Sequence, residues 1–493
     1  MTRVLLTGSG TTLADIVAIA RRNASVDITR SVSDRLIKAR RILEDAAEGG
    51  QQIYGMNTGL GANLKTSVTS DFDLFQLQLI RGRGVAVGEP LSRDVTRSVI
   101  AARLSMLAVG GSGISLPTFQ ALVALLNAGV HPIMPSVGSV GAGDLVLLSA
   151  MARALVGEGE AEYRGTIHPA GEALRLAGLA PARLQPKDGI SLLNASAVSC
   201  GFGALVLHEA LALMDAQRRA ASLSFEGMGG NVLILSPAIQ KARPVSGQVE
   251  EADRLLQMLD GSMLFEPGAA IQDPLSLRCL PSIHGALADA LSRAVGIVEL
   301  ELNAAADNPV VLLEEQRVLS SGNFHTPALS LAFETLGLAI AQAAAASAAR
   351  FLQMTGASRA GLPRYLSAVG GASAGFVPMQ KTVAALMADI RHKANPVMLD
   401  FLSVSEGVED HATQSALAVR KLGEMLKLWR LLISCELLAA AQAVDQRPGH
   451  RCGQGTAAVH AFVRKHAPVM IEDRSLGDDV MAIASGLLDE SMA

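Results

Sequence analysis

Aromatic side chains are scarce in this chain: one tryptophan, three tyrosines and twelve phenylalanines make up 3% of 493 residues. A core so poor in rings has to be built from aliphatic and alanine contacts, and broad helix faces of that kind often continue across subunits. Cysteine is rare as well. Cys200, Cys279, Cys435 and Cys452 stand far apart, without the paired spacing that zinc or a redox dithiol needs, so unpaired thiols in a reducing compartment are expected. The two signs of charge nearly balance, with 42 basic against 46 acidic residues. The formal net charge is −4 and the pI about 6.2, which supplies no basic field for nucleic acid or an anionic membrane surface. A small molecule is the expected partner. The first residues, "MTRVLLTGSGTTLADIVAIARR", lack a continuous apolar run followed by a small-residue cleavage site, and this points to the cytoplasm.

Mean hydropathy of +0.33 raises the question of a membrane, and Leu104 to Gly143 carries no Asp, Glu, Lys or Arg. Gly110, Gly111, Gly113, Pro117, Pro132 and Pro135 interrupt that segment, whereas a bilayer needs an unbroken apolar helix of about 20 residues. The segment reads as a buried helix, Thr118 to Ala128, between two ordered loops.

Apolar spacing and the Ala, Leu, Glu and Arg content predict a mainly α fold, with Val/Ile/Thr alternation scarce. Thr326 to Met354 and Leu417 to Val444 are apolar on more than one face, as central members of a helix bundle are. Turn-rich stretches separate the helices: "YGMNTGLGAN", "VGGSGIS", "SVGSVGAGDLVLL", "FEGMGGN", "LFEPGAAIQDP" and "AADNPVV". The predicted division is an N-terminal domain, 1–220, holding the glycine loop and Tyr54, and a helical-bundle domain, 221–493.

Polar residues are concentrated in those loops, where buried chemistry is expected. Tyr54 lies in a Gly/Asn/Thr loop, Asn194 in "GISLLNAS", and Gln272 and Arg278 in "QDPLSLRC". A planar guanidinium such as that of Arg278 suits a substrate carboxylate, although a surface ion pair is the ordinary role of an arginine. "SSGNFHTPA" and "SEGVEDHATQS" add Asn323, Phe324, His325, Glu409, Asp410 and His411. No HExxH or similarly spaced set argues for a metal, and the glycine loop has neither the Lys-Ser/Thr ending of a P-loop nor the GxGxxG order of a dinucleotide site.

In order along the chain, "YGMNTGLG", "GSVGAGDL", "LLNAS", "QDPLSLRC", "DNPVV", "SGNFH", "GFVPMQKT" and "VEDH" resemble the aromatic amino acid ammonia-lyase family, and within it the histidine branch. The resemblance covers about residues 10 to 480. It implies a mainly α-helical homotetramer in which loops from three subunits form each active site. It further implies that Tyr54 is the base that removes a proton from the carbon beside the ring, and that Asn194 and Gln272 line the reacting centre. Arg278 then clamps the carboxylate, Phe324 walls the pocket, and Glu409 lies near the amino group or imidazole.

The sequence departs from this pattern at the glycine loop. The family carries Ala-Ser-Gly there, and these residues cyclise into methylidene-imidazolone, whose methylene comes from the serine. Here only Ala142 and Gly143 separate Gly141 from Asp144, and Ser139 is followed by valine rather than glycine. No such cofactor is expected. The family's Ser-His pair before "GVGEP" is Gly82-Arg83, and a second family tyrosine is Leu275. A trimethylammonium group has no lone pair with which to attack an electrophile, yet it departs as a neutral amine. The altered loop therefore resembles the ergothionase branch, whose members eliminate trimethylamine from ergothioneine to give thiourocanate. Arg83 would then contact either the carboxylate or the sulfur of the thioimidazole. The competing readings are a conventional histidine ammonia-lyase and a catalytically inactive homologue retained as a binding protein.

Overall fold

The computed structural model describes residues 2–61, 68, 71–266, 271–356, 361–400 and 402–487. Parts of the turn-rich stretches at 54–63 and 264–274 therefore lie outside the described residues. The chain is about 60% helical, in agreement with the mainly α expectation. Two compact units divide it, and they are interleaved along the sequence rather than cut once near residue 220. The first comprises Met1–His208, Ala294–Phe333 and Pro396–Arg420; the second comprises Glu209–Arg293, Glu334–Asn395 and Lys421–Ala493. The interleaving follows from four long helices, Ala197–Met228, Leu280–Leu302, Pro327–Thr355 and Ser415–Asp445, each of which begins in one unit and ends in the other.

All strands among the described residues belong to the first unit. Arg3–Leu6 pairs in parallel with Ser25–Ile28, and Val87–Pro90 pairs antiparallel with Pro135–Val137. Val130–Pro132, Glu160–Tyr163 and Thr166–Pro169 form a three-stranded antiparallel sheet, and Val310–Leu312 forms a hairpin with Arg317–Leu319. At the centre of the unit, every residue from Val95 to Ala108 of the helix Arg93–Ala108 is buried. Its arginines are tolerated because they reach acceptors: Arg97 donates to the carbonyls of Ile19 (2.9 Å) and Leu126 (3.2 Å). The uncharged segment after Leu104 holds the helix Leu116–Asn127, two residues earlier at its start than the spacing predicts, because Ser115 caps its N-terminus and Pro117 occupies the first turn.

A smaller cluster of Ala39, Ile42, Leu43, Ile53, Met56, Val311 and Val318 anchors the loop that carries Tyr54, since Ile53 and Met56 are held in it on either side of the tyrosine.

In the second unit the carboxylate of Glu436 is wholly buried and fully served. It accepts from Arg350 Nε (2.5 Å) and Nη2 (3.0 Å), Ser347 Oγ (2.5 Å), Ser224 Oγ (2.8 Å) and Gln217 Nε2 (3.1 Å). An ion pair can sit at 0% exposure on both sides only with such a full complement of partners. Two helical stretches, 188–228 and 327–355, are long and apolar enough to cross a membrane by length and composition, but 94% and 56% of the respective apolar windows is buried within the protein.

Candidate active site

A cavity of about 590 Å³ opens in the first unit. Tyr54, Ala142, Asn308, Phe324, His325, Glu409 and His411 are on its wall. Four segments far apart in sequence, around residues 51–61, 142, 308–325 and 408–411, converge on it. The Tyr54 hydroxyl accepts from the Gly61 N–H at 3.0 Å, while the Asn57 side chain accepts from the Ile53 N–H at 2.7 Å and donates to the Gln51 carbonyl at 2.9 Å. Gln76 closes the loop from behind by donating to the Gly55 carbonyl (3.0 Å) and accepting from the Gly189 N–H (2.9 Å).

The glycine loop forms part of the floor. Val140 O accepts from the backbone N–H groups of Thr413 (3.1 Å) and Gln414 (2.9 Å), and Thr413 Oγ1 donates to Gly141 O at 2.9 Å. This close approach is why residue 141 is glycine: its φ is +81°, and a Cβ there would lie 2.1 Å from Thr413 Oγ1. Gly143, at φ +75°, would bring a Cβ to 2.8 Å from Leu145 Cδ1. Ala142 pairs with His325 in an isolated antiparallel bridge, which draws the "GNFH" segment alongside the loop. Beneath it Asp144 is completely buried. Its carboxylate accepts from Ser139 Oγ (2.7 Å) and the Ser199 N–H (3.0 Å), and burial pushes its pKa above the usual carboxylate range while those bonds oppose the rise.

Asn194 is buried and donates from Nδ2 to the Asn308 carbonyl at 3.2 Å. The two segments that meet in this bond are tied together by Arg103, which no contact with the cavity would reveal. Its guanidinium donates to the Ser191 carbonyl, three residues before Asn194, and to both carboxylate oxygens of Asp307 (3.0 and 3.2 Å), one residue before Asn308. Arg103 shares its helix with Arg93, Asp94 and Arg97, so the sequence carries no signal that singles it out.

Glu409 sits in a tight loop. Its backbone exchanges bonds with Val404 (3.0 and 3.3 Å), and its Oε2 accepts from Ser405 Oγ at 2.7 Å. Ser405 and Glu406 adopt left-handed conformations, φ 56° and 57°, which non-glycine residues rarely hold. Arg83 is partly buried and donates to the Leu79 carbonyl at 3.2 Å. Burial lowers its pKa, and the nearby Tyr54 and Glu409 act in the opposite direction, so this cation shares the electrostatic environment of both residues. His325 Nε2 and His411 Nδ1 are 2.8 Å apart. Burial, and then the neighbouring His411, lower the pKa of His325, so the neutral imidazole is favoured.

The structure thus brings Tyr54, Arg83, Ala142, Gly143, Asp144, Asn194, Phe324 and Glu409 together in the first unit. Gln272 and Arg278 belong to the second: Gln272 is exposed, and Arg278 ends the short helix Leu275–Arg278.

The model of the aromatic amino acid lyase family matches residues 11–465. A histidine ammonia-lyase of Treponema denticola is 37% identical over 482 residues, spanning 97% of this chain and 95% of that protein. One of Stigmatella aurantiaca is 37% identical over 493 residues, with 99% and 96% covered. Among solved structures, the ergothionase of Treponema denticola in complex with desmethyl-ergothioneine sulfonic acid matches with a TM-score of 0.94 at 32% identity, covering 98% of each chain. The histidine ammonia-lyase of Trypanosoma cruzi matches with a TM-score of 0.90 at 30% identity, covering 99% of this chain and 93% of that one. The fold and the family match are those of a lyase. The chain belongs to the aromatic amino acid lyase family and is a carbon–nitrogen lyase of the ammonia-lyase type.

Proposed function

We propose that the protein eliminates trimethylamine from ergothioneine, giving thiourocanate, and does so without methylidene-imidazolone. The observation that carries this reading is the glycine loop. The residues present do not fit the cofactor: Ala142-Gly143 offers no serine, and the hydroxyl of Ser139 is engaged by the Asp144 carboxylate and by the Gly141 N–H at 3.0 Å. Tyr54, Asn194, Gln272, Arg278 and Glu409 of the family pattern remain, and the likeness to an ergothionase structure over nearly the whole chain supports the same substrate.

In this mechanism Tyr54 takes the proton from the carbon beside the ring. The released electron pair forms the carbon–carbon double bond, the carbon–nitrogen bond breaks, and trimethylamine leaves with the bonding pair as a neutral amine. No activation of the leaving group is needed, because the quaternary nitrogen already carries the positive charge. Glu409 faces that cation, Arg278 holds the carboxylate, Phe324 bounds the ring, and Asn194 and Gln272 orient the reacting centre. Arg83 meets either the sulfur of the thioimidazole or the carboxylate.

The reading includes a cytoplasmic homotetramer in which Gln272 and Arg278 reach the site from neighbouring copies. Apolar side chains left in water support it: Ile271 is 95% exposed, Leu402 83% and Leu399 77%.

The test is to give the purified full chain ergothioneine or histidine and follow thiourocanate, urocanate and trimethylamine. Conversion of ergothioneine alone is the expected result. Conversion of histidine alone would establish the conventional ammonia-lyase, and failure with both and with betaine analogues would establish the inactive homologue.

A further inference from the structure

A second cavity, of about 290 Å³, lies behind the loop that carries Arg83. Gly84 and Ala86 of that loop form one side, Ile133, Pro135 and Val146 form an apolar wall, and two charged side chains of opposite sign, Arg153 and Glu160, complete it.

The side chain of Arg153 has no hydrogen bond or ion pair among the described residues, and its Nε is buried without a partner. Its guanidinium is held against the loop: a Cβ at Gly84 would lie 2.9 Å from Nη1 and one at Gly159 would lie 3.9 Å from Nη2. Glu158 is close enough to be influenced electrostatically, yet its carboxylate is committed to Arg81, which binds it through Nε (2.9 Å) and Nη2 (2.5 Å). Glu160 lends its backbone to the sheet, while its carboxylate has no partner among the described residues. A guanidinium with an unserved buried N–H calls for an acceptor that the protein does not supply. Its planar fork matches a carboxylate, and an acceptor-only carboxylate at the other charged position matches a cationic nitrogen.

We propose that this cavity is a second binding site for a small zwitterion, an amino acid or a betaine, whose carboxylate meets Arg153 and whose cationic nitrogen meets Glu160. Its apolar body packs on Ile133, Pro135 and Val146. The site is separate from the catalytic cavity, but its walls include the neighbour of Arg83 and the residue two beyond Asp144, so an occupant touches both the Arg83 loop and the helix that follows the glycine loop.

Calorimetric titration of L-leucine into the full chain tests this. Wild type and Arg278→Met should bind it equally, while Arg153→Met and Glu160→Gln each weaken it by about tenfold or more. Acetate and methylammonium, each carrying only one of the charges, should bind far more weakly. Glu160 is exposed, so its exchange for glutamine keeps the test valid even where Arg153→Met fails to fold. Absence of leucine binding up to its solubility limit overturns the proposal. So does binding that survives Glu160→Gln or is lost in Arg278→Met.

Discussion

Ser139 donates its hydroxyl hydrogen to Asp144 Oδ1 at 2.7 Å, bracing the turn from Val140 to Gly143 from within. The serine that the sequence already excludes as an electrophile source, because Val140 follows it, is a structural brace. Ser139→Ala should therefore cost about 1–2 kcal/mol of stability and reduce turnover moderately, through a loosened loop. The intact mass of the wild-type chain should equal the encoded mass, because ring closure would remove two waters. Complete loss of activity in Ser139→Ala, together with a wild-type mass deficit, would reverse this view.

Tyr54→Phe keeps the ring and its packing against the loop but removes the proton acceptor. The expected outcome is a kcat lower by about 10²–10⁴-fold with KM changed far less. Steady-state rates of thiourocanate formation measure both. Near-normal kcat would remove Tyr54 from the role of base.

Ser405 Oγ donates to Glu409 Oε2 at 2.7 Å, while the Ser405 carbonyl accepts from the Val408 N–H at 3.1 Å. Ser405→Ala should raise KM for ergothioneine a few-fold with kcat nearly intact, whereas Glu409→Gln, which removes the charge facing the quaternary nitrogen, should raise KM by about tenfold or more. Equal effects of the two substitutions would show that Glu409 acts only through its loop.

Glu301 yields a pH prediction from burial alone. Burial raises its carboxyl from 4.5 to about 7. Below 4.5 the folded and unfolded chains both hold the proton, and above 7 neither does. Between these values the folded chain binds more protons, so stability falls as pH rises, and the penalty is fully present above about 7. Glu301→Gln should therefore match wild type near pH 4.5 and exceed it by roughly 1–2 kcal/mol at pH 8, with its partial exposure taken into account. Thermal unfolding at both pH values measures the difference, and a constant offset would exclude Glu301 as its source.

The long helices could be read from the sequence because their apolar spacing is a local property: Thr326 to Met354 and Leu417 to Val444 correspond to Pro327–Thr355 and Ser415–Asp445 in the structure. Tyr54 could be nominated because it stands in a Gly/Asn/Thr loop, whereas Phe324 and Glu409 take their roles from the ordered family motifs "SGNFH" and "VEDH". The interleaved units could not, since a helix carries no local mark of which neighbours it will meet at each end. The same holds for the left-handed pair Ser405–Glu406, whose conformation is imposed by pairing between Val404 and Glu409, and for Arg153, whose significance lies in a partner it lacks.

The clamp made by Arg103 bears on natural variation in this chain. A descendant could keep every residue that faces substrate and still lose the geometry through one exchange at position 103, because this guanidinium ties the two segments that meet in the Asn194–Asn308 contact to each other and to the helix Arg93–Ala108. Lineages that drift in substrate preference are then expected to vary along the cavity wall while inheriting Arg103 and Asp307 as a pair.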